Sequence, residues 1–442
     1  MQKLMNAVEK KRDNILDAEK YIWKHPETGF KEYETSAYME RIFRSLGYEL
    51  TLAGNIPGFY TTVDTGRSGP TLLILGEMDA VICPEHKDSN PKTGAVHACG
   101  HHVQCAALIG IAAALKEHGA LDNLCGKIKL CVVPAEELLE IEYRFQLKEK
   151  GIIKYLGGKC EFLHRGYFDD VDLALMVHVS DHFSVMSGAV GFLAKRVTYE
   201  GKVAHAGGSP WDGINALYAA NCGLNAINAI RETFEEKDIV RVHPIITNGG
   251  SMVNAIPDRV TLESYVRGAS FEGIVKNNKK INRALCGAAL SLGANVDISD
   301  FPGYAPLIND KNLIEVAKEA AETALPEKTF SIIDSMWSAS TDMGDLSSVM
   351  PVVHPFVPGI DGGLHSANFC INDVVTACVG SAKFQLCMIH ILMSNRAERA
   401  MQVIRESRPY FANKTEYFKY IDSLSFNGER IEYNNNMATV KL

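Results

Sequence analysis

The sequence holds eleven cysteines, an odd number, dispersed from Cys83 to Cys387 with no CxxC pair. In a chain this long that argues against a disulfide framework and for reduced thiols. Basic runs are also lacking: the 45 Lys and Arg residues are scattered and the net charge is -8. No electrostatic footprint for phosphates is present, so no nucleic-acid partner is expected. No stretch approaches 18 uninterrupted apolar residues, which gives no reason to expect a membrane span or membrane partner. The amphipathic start, "MQKLMNAVEKKRDNILDAEKYIWKHPE", lacks the apolar core of a secretion signal. A cytoplasmic location is the resulting expectation. A GxSxG elbow is absent as well, which removes the usual signature of a serine hydrolase.

What is present is ordinary for a folded chain: 442 residues, 46% hydrophobic and 22% charged. That length favours two domains over one. Residues 58–64, 71–80, 127–137 and 171–179 read as strands alternating with helices, the second a nearly continuous apolar run. This pattern predicts an α/β domain with a mixed, largely parallel sheet. From about Gly191 the order becomes strand, helix, strand, strand, helix, strand, which predicts an inserted ferredoxin-like α+β domain. The expected boundaries are 1–188 and 302–394 for the larger domain, 189–301 for the insertion, and 395–442 for a helical extension.

The chemistry gathers in a few places. "HACGHH" puts His97, Cys99, His101 and His102 into six residues ahead of an apolar helix. Such a stretch suits a metal site, a catalytic thiol with its base, or a crowded loop. Glu136 and Glu137 follow a strand that Pro134 stops, where α/β sheets carry their ligand sites. His178 ends another strand, and His365 sits in the glycine-rich turn "DGGLHSANF". Together, Cys, His and Glu donors suit a borderline-soft divalent ion, zinc first, with manganese or cobalt possible. A thiolate can bridge two ions, and of two adjacent glutamates one can bind metal while the other takes a proton from the attacking water. A cysteine hydrolase built on Cys99 would leave Glu136, Glu137, His178 and His365 without a task. A metal-storing protein would have no need of the free carboxylate.

The chain resembles the M20 metallopeptidases, in particular the amidohydrolase branch of aminoacylase-like, auxin-conjugate and aminobenzoyl-glutamate hydrolases. The resemblance runs to about residue 390 and rests on "GEMDAV", "HACGHH", "VPAEE", "MVHV", "GKVAHAG", "NAIPDRVTLESYVRG" and "GLHSANF", in that order. It implies a phosphorylase/hydrolase-like catalytic domain with an inserted lid that also forms a homodimer. It further implies two metal ions on Cys99, His101, Glu137, His178 and His365, with Cys99 bridging. Glu136 would be the general base and Asp79 a group orienting a ligand. His205 would reach a partner's active site to stabilise the oxyanion, and Asn254 and Arg267 would bind a substrate carboxylate. The implied reaction is hydrolysis of the amide of an N-acyl, N-aminoacyl or aminobenzoyl amino acid, with a dipeptidase or a non-catalytic metal binder as alternatives. Three features depart from the family: His102 stands where it usually has Asp, "SASTDMGDLSSV" leans toward the aminobenzoyl-glutamate and dipeptide hydrolases, and about 50 residues follow its common end.

Overall fold

The computed structural model describes residues 1–428, 431–434 and 437–440. They form two units. The larger comprises Met1–Gly188, Leu307–Trp337 and Thr341–Lys414; the smaller comprises Ala189–Pro306, Ser338–Ser340 and Thr415–Leu442.

The larger unit is an α/β structure around a mixed six-stranded sheet. Its strands run in the order Thr51–Leu52, Phe59–Asp64, Lys127–Val133, Thr71–Glu77, Leu173–Leu175, Val352–Val353. The first two pairings are antiparallel and the other three parallel. Every residue of Thr71–Glu77 is buried, so the continuous apolar run belongs to a strand covered on both faces. The helix His101–Leu115 is likewise buried at every position. It packs against Gln2–Lys10, Arg12–Trp23 and Ser381–Met393, which explains why it is apolar all round. Among the described residues, one helical stretch, Val375–Met393, is long and apolar enough to cross a membrane by length and composition, and 72% of its most apolar 18-residue window is buried. Two helices that the sequence pattern did not suggest, Ile141–Glu149 and Gly158–His164, follow the glutamate pair.

The smaller unit has a separate antiparallel sheet. Asn295–Pro302 forms one edge, followed by Gly191–Glu200, Arg259–Gly268 and, on the far side, the short strands Arg241–Val242 and Ile245–Asn248. Arg259–Gly268 alternates between buried and less buried positions, as a strand with one core face must. The helices Ala216–Ala229 and Phe271–Ser291 pack on each other and on this sheet, burying Tyr199, Leu262, Ile281 and Leu285.

The C-terminal segment departs from the expected all-helical extension. Helices end at Ser423; residues 426–428 then pair with the outer edge of Asn295–Pro302 through Phe426 and Asp300. A hairpin of Ile431–Asn434 and Met437–Val440 follows. The open edge supplies unpaired backbone groups, and Ile431 is fully buried in the smaller unit's core. A mostly exposed hairpin anchored through Ile431 and, partly, Val440 carries little helical or strand periodicity, so its pattern is faint.

Candidate metal centre

Three parallel strands lie side by side, and their C-terminal ends carry the chemistry. The register pairs Glu77 with Val133, so Glu77 and Asp79 come beside the 134–137 turn. Leu173–Leu175 runs parallel on the other side of Thr71–Glu77 and leads to His178. Cys99 and His101 sit at the start of the buried helix, where Gly100 adopts φ 91°. A β-carbon at Gly100 would stand 2.2 Å from Val179 Cγ1, so only glycine fits that turn.

The donor atoms converge. Ligand atoms of Cys99, His101 and His178 lie within 4.8 Å of one another, as do those of Cys99, Glu137 and His365, and those of His101, Glu136 and Glu137. Cys99 thus belongs to two triads. Backbone and carboxylate partners turn each ring toward the cluster. His178 Nδ1 lies 2.7 Å from the Val179 carbonyl, with Nε2 3.5 Å from Cys99 Sγ. His101 Nδ1 lies 2.9 Å from the Asp79 carbonyl and 3.1 Å from its Oδ1. Asp79 Oδ2 accepts the Glu137 N–H at 2.7 Å, so one carboxylate orients both a histidine and a glutamate. His365 Nε2 lies 2.6 Å from Glu137 Oε1 on a backbone held at φ 59° by its N–H to Ala98 O.

The electrostatics match a site for cations. Burial and Glu137 push the Cys99 thiol up, but His101 and His178 pull it further down, to about 6. Burial raises the Glu137 carboxyl, and His365 overrides it, holding it at about 2. Glu136 is different: burial, Glu77 and Glu137 all raise it well above the usual carboxylate range. His101 Nε2 and Glu137 Oε1 are fully buried and make no well-aligned hydrogen bond, although His101 Nε2 has Glu77 Oε2 at 3.2 Å. A soft thiolate, imidazole nitrogens and carboxylates whose ligand atoms crowd within 4.8 Å of one another fit a pair of divalent ions. Cys99, His101, Glu137, His178 and His365 are the residues that would hold them.

Several groups here escaped the sequence. Glu77, His101's neighbour, is bound on its other side by the Lys159 ammonium, which also contacts Asp342. Gln104 Nε2 donates to Glu77 Oε2 at 2.7 Å. Glu77 lies two residues before Asp79, the spacing that keeps a strand's side chains on one face, and that was the available signal. His354 follows the fourth parallel strand, its ring 5.9 Å from that of His178. His102 turns the other way, its Nε2 3.4 Å from Glu19 and its ring 5.0 Å from Trp23. His97 is fully buried against His102.

His205, Asn254 and Arg267 belong to the smaller unit. His205 and Asn254 are adjacent: Ala206 N–H donates to Asn254 O at 3.0 Å, and His205 bridges Ala255. His205 is exposed, and its Nδ1 accepts the N–H groups of Gly207 and Gly208 at 3.2 and 2.8 Å. A neutral ring so bonded carries its proton on Nε2. Arg267 donates to Ser340 Oγ at 2.7 Å and stacks over Phe192 and Tyr265, at 5.3 and 5.5 Å.

Comparison with known proteins shows which family the chain belongs to. The family model described as "Peptidase family M20/M25/M40" matches residues 73–389. The mouse Xaa-Arg dipeptidase is 30% identical over 381 residues, covering 83% of this chain and 80% of its own. The N-acetyl-L-cysteine deacetylase of Bacillus subtilis is 28% identical over 329 residues, covering 70% and 72%. A dinuclear metal-binding peptidase of the M20 family from Bacillus subtilis superposes with a TM-score of 0.65 at 20% identity, over 87% of this chain and 99% of that one. With the family model spanning well over half of it, this chain is a hydrolase of the M20/M25/M40 peptidase family.

Proposed function

We propose that the protein hydrolyses the amide bond of an N-acyl or N-aminoacyl amino acid, releasing the free amino acid, with two divalent ions held by Cys99, His101, Glu137, His178 and His365. The observation that carries this reading is the convergence of donor atoms in two triads that share Cys99, one with His101 and His178 and the other with Glu137 and His365, with Glu136 beside them. Glu137 is turned to His365 at 2.6 Å, whereas burial and the neighbouring carboxylates raise the Glu136 carboxyl, which makes its ionised form the stronger base of the two. When bound, the ions supply the Lewis acidity that activates water and polarises the amide carbonyl. Glu136 takes the proton of the attacking water and delivers it to the leaving nitrogen. Asp79 keeps His101 and Glu137 in register. His205, with its proton on Nε2, is a donor suited to an oxyanion, and Arg267 to a substrate carboxylate.

A dipeptide substrate is the second reading, favoured by the mouse dipeptidase relative and its coverage of this chain. In both, the smaller unit joins two copies into a homodimer. The exposed apolar residues Trp211, Tyr218, Ile245 and Val253, the last fully exposed, support such an interface. Eleven free cysteines support a reducing, cytoplasmic setting. The test is amine release from N-acyl amino acids, aminobenzoyl-glutamate and dipeptides, with added zinc, manganese or cobalt. Turnover that survives complete chelation would refute the metal-dependent reading.

A further inference from the structure

Between the strand Lys127–Val133 and the two glutamates the chain turns sharply, and groups distant in sequence hold that turn. Ala135 adopts φ 58°, a left-handed conformation unfavourable to any residue with a β-carbon. Its N–H donates to Glu32 Oε1 at 2.7 Å, from a side chain that is wholly buried. Its carbonyl accepts the Gly158 N–H at 3.1 Å and Arg144 Nη1 at 3.4 Å. Arg144, on the helix Ile141–Glu149, is also wholly buried. It donates through Nη2 to the Glu137 carbonyl and through Nη1 to the Leu156 carbonyl. The guanidinium lies over the Phe30 ring, and a β-carbon on Gly29 would come within 2.4 Å of Nη2. Glu137 is therefore pinned at both ends, its N–H on Asp79 and its carbonyl on Arg144.

Burying a guanidinium is costly, and here its two Nη groups donate to backbone carbonyls around the reacting groups. We propose that Arg144 and Glu32 are positioning residues: they fix the backbone of 135–137, so that the Glu136 carboxylate faces the water and that of Glu137 the ions. This rests on the roles proposed above for those two glutamates. The argument is geometric. A side chain is aimed from its own backbone, and a misplacement on the order of 1 Å at the reacting atoms costs about a hundredfold in rate.

The test uses Arg144→Ala, Arg144→Lys, Glu32→Leu and Glu32→Gln in the full chain. Cobalt affinity is read by visible absorption without substrate, and kcat and KM are read separately on the best substrate. Arg144→Ala is expected to lower the affinity for one of two ions and kcat by about 10–100-fold each, the range for supporting residues of a metal site. KM should stay within about threefold, because the proposed carboxylate-binding side chains are intact. Lysine cannot serve both the Glu137 and Leu156 carbonyls, so Arg144→Lys recovers only part. Glu32→Gln, which keeps an acceptor oxygen, recovers most of what Glu32→Leu loses. A folded Arg144→Ala protein with unchanged cobalt affinity and kcat overturns the proposal. Should that variant not fold, the Glu32 pair decides: equal behaviour of Leu and Gln overturns it. A wild-type chain that binds no divalent ion refutes the functional proposal instead, and a wrong substrate class leaves the cobalt result standing.

Discussion

Replacing Lys159 with methionine probes the buried charges behind the metal centre. The Lys159 ammonium is fully buried between the carboxylates of Glu77 and Asp342, themselves 1% and 0% exposed. Methionine fills much of the space and removes the cation while both carboxyls stay. Breaking a buried pair in this way costs about 3–5 kcal/mol. For a unit of this size the unfolding midpoint moves roughly 2 °C per kcal/mol, so a fall of about 6–10 °C is expected at pH 7. The penalty should depend on pH. Burial pushes the Glu77 carboxyl up, but Lys159 pulls it further down, to about 2. A carboxyl depressed in the folded state adds stability above its ordinary value of about 4.3, and that contribution is lost as the pH falls toward 2. Burial raises Asp342 to about 6 even beside Lys159. In the variant both carboxyls lose their cation and rise, so they take up protons in the folded state as the medium acidifies. The gap between variant and wild type should therefore narrow from pH 7 to pH 5. Scanning calorimetry of metal-stripped protein at both values measures it, and a second substitution, Asp342→Asn, should restore part of the loss. A fall of less than about 2 °C at pH 7, or a gap that does not narrow at pH 5, would refute the reasoning.

Four further outcomes follow from the proposed roles. Cys99→Ser should lose at least one ion or change metal preference, because a hydroxyl bridges poorly at neutral pH; elemental analysis showing two ions and full activity would make Cys99 a buried small side chain. Glu136→Gln should keep its metals and lose about 10²–10⁴-fold in kcat, since an amide cannot accept the water's proton. Mixed with inactive His205→Ala subunits, it should regain activity after exchange if His205 serves the partner's site, and silence despite proven exchange would place His205 elsewhere. Arg267→Lys should lower kcat/KM about ten- to a hundredfold for a substrate with a free carboxylate while sparing its carboxamide, and equal losses would remove Arg267 from carboxylate recognition.

Much of the candidate site was legible because its groups sit where a strand or helix visibly stops. Pro134 marks the strand end before Glu136 and Glu137, and His178 and His365 stand at comparable breaks. The apolar run of 71–77 announced a strand covered on both faces, as it proved to be. What stayed hidden depends on pairs far apart in sequence. Lys159 reads as an ordinary surface charge until Asp342, 183 positions on, is found against it. Arg144 lies in a helix whose sequence, IEYRFQLKE, has almost no apolar periodicity, since its buried arginine faces inward. The C-terminal hairpin escaped for a different reason: Ile431, the fully buried one among its described residues, is recognised only by the core that receives it.

The strand Asn295–Pro302 borrows its outer neighbour from residues 426–428. During synthesis that neighbour does not yet exist. At ~5–20 residues per second, the interval between Pro302 and Ile431 is on the order of ten seconds. Throughout it the nascent smaller unit carries an uncapped sheet edge and a core lacking Ile431, which is the condition under which strands recruit foreign partners. Two of the edge residues, Asp297 and Asp300, are acidic, and Pro302 closes the strand, so the exposed rim is charged and interrupted while it waits. A chain stalled or cut between these positions would lack the partner of that edge for as long as it persisted.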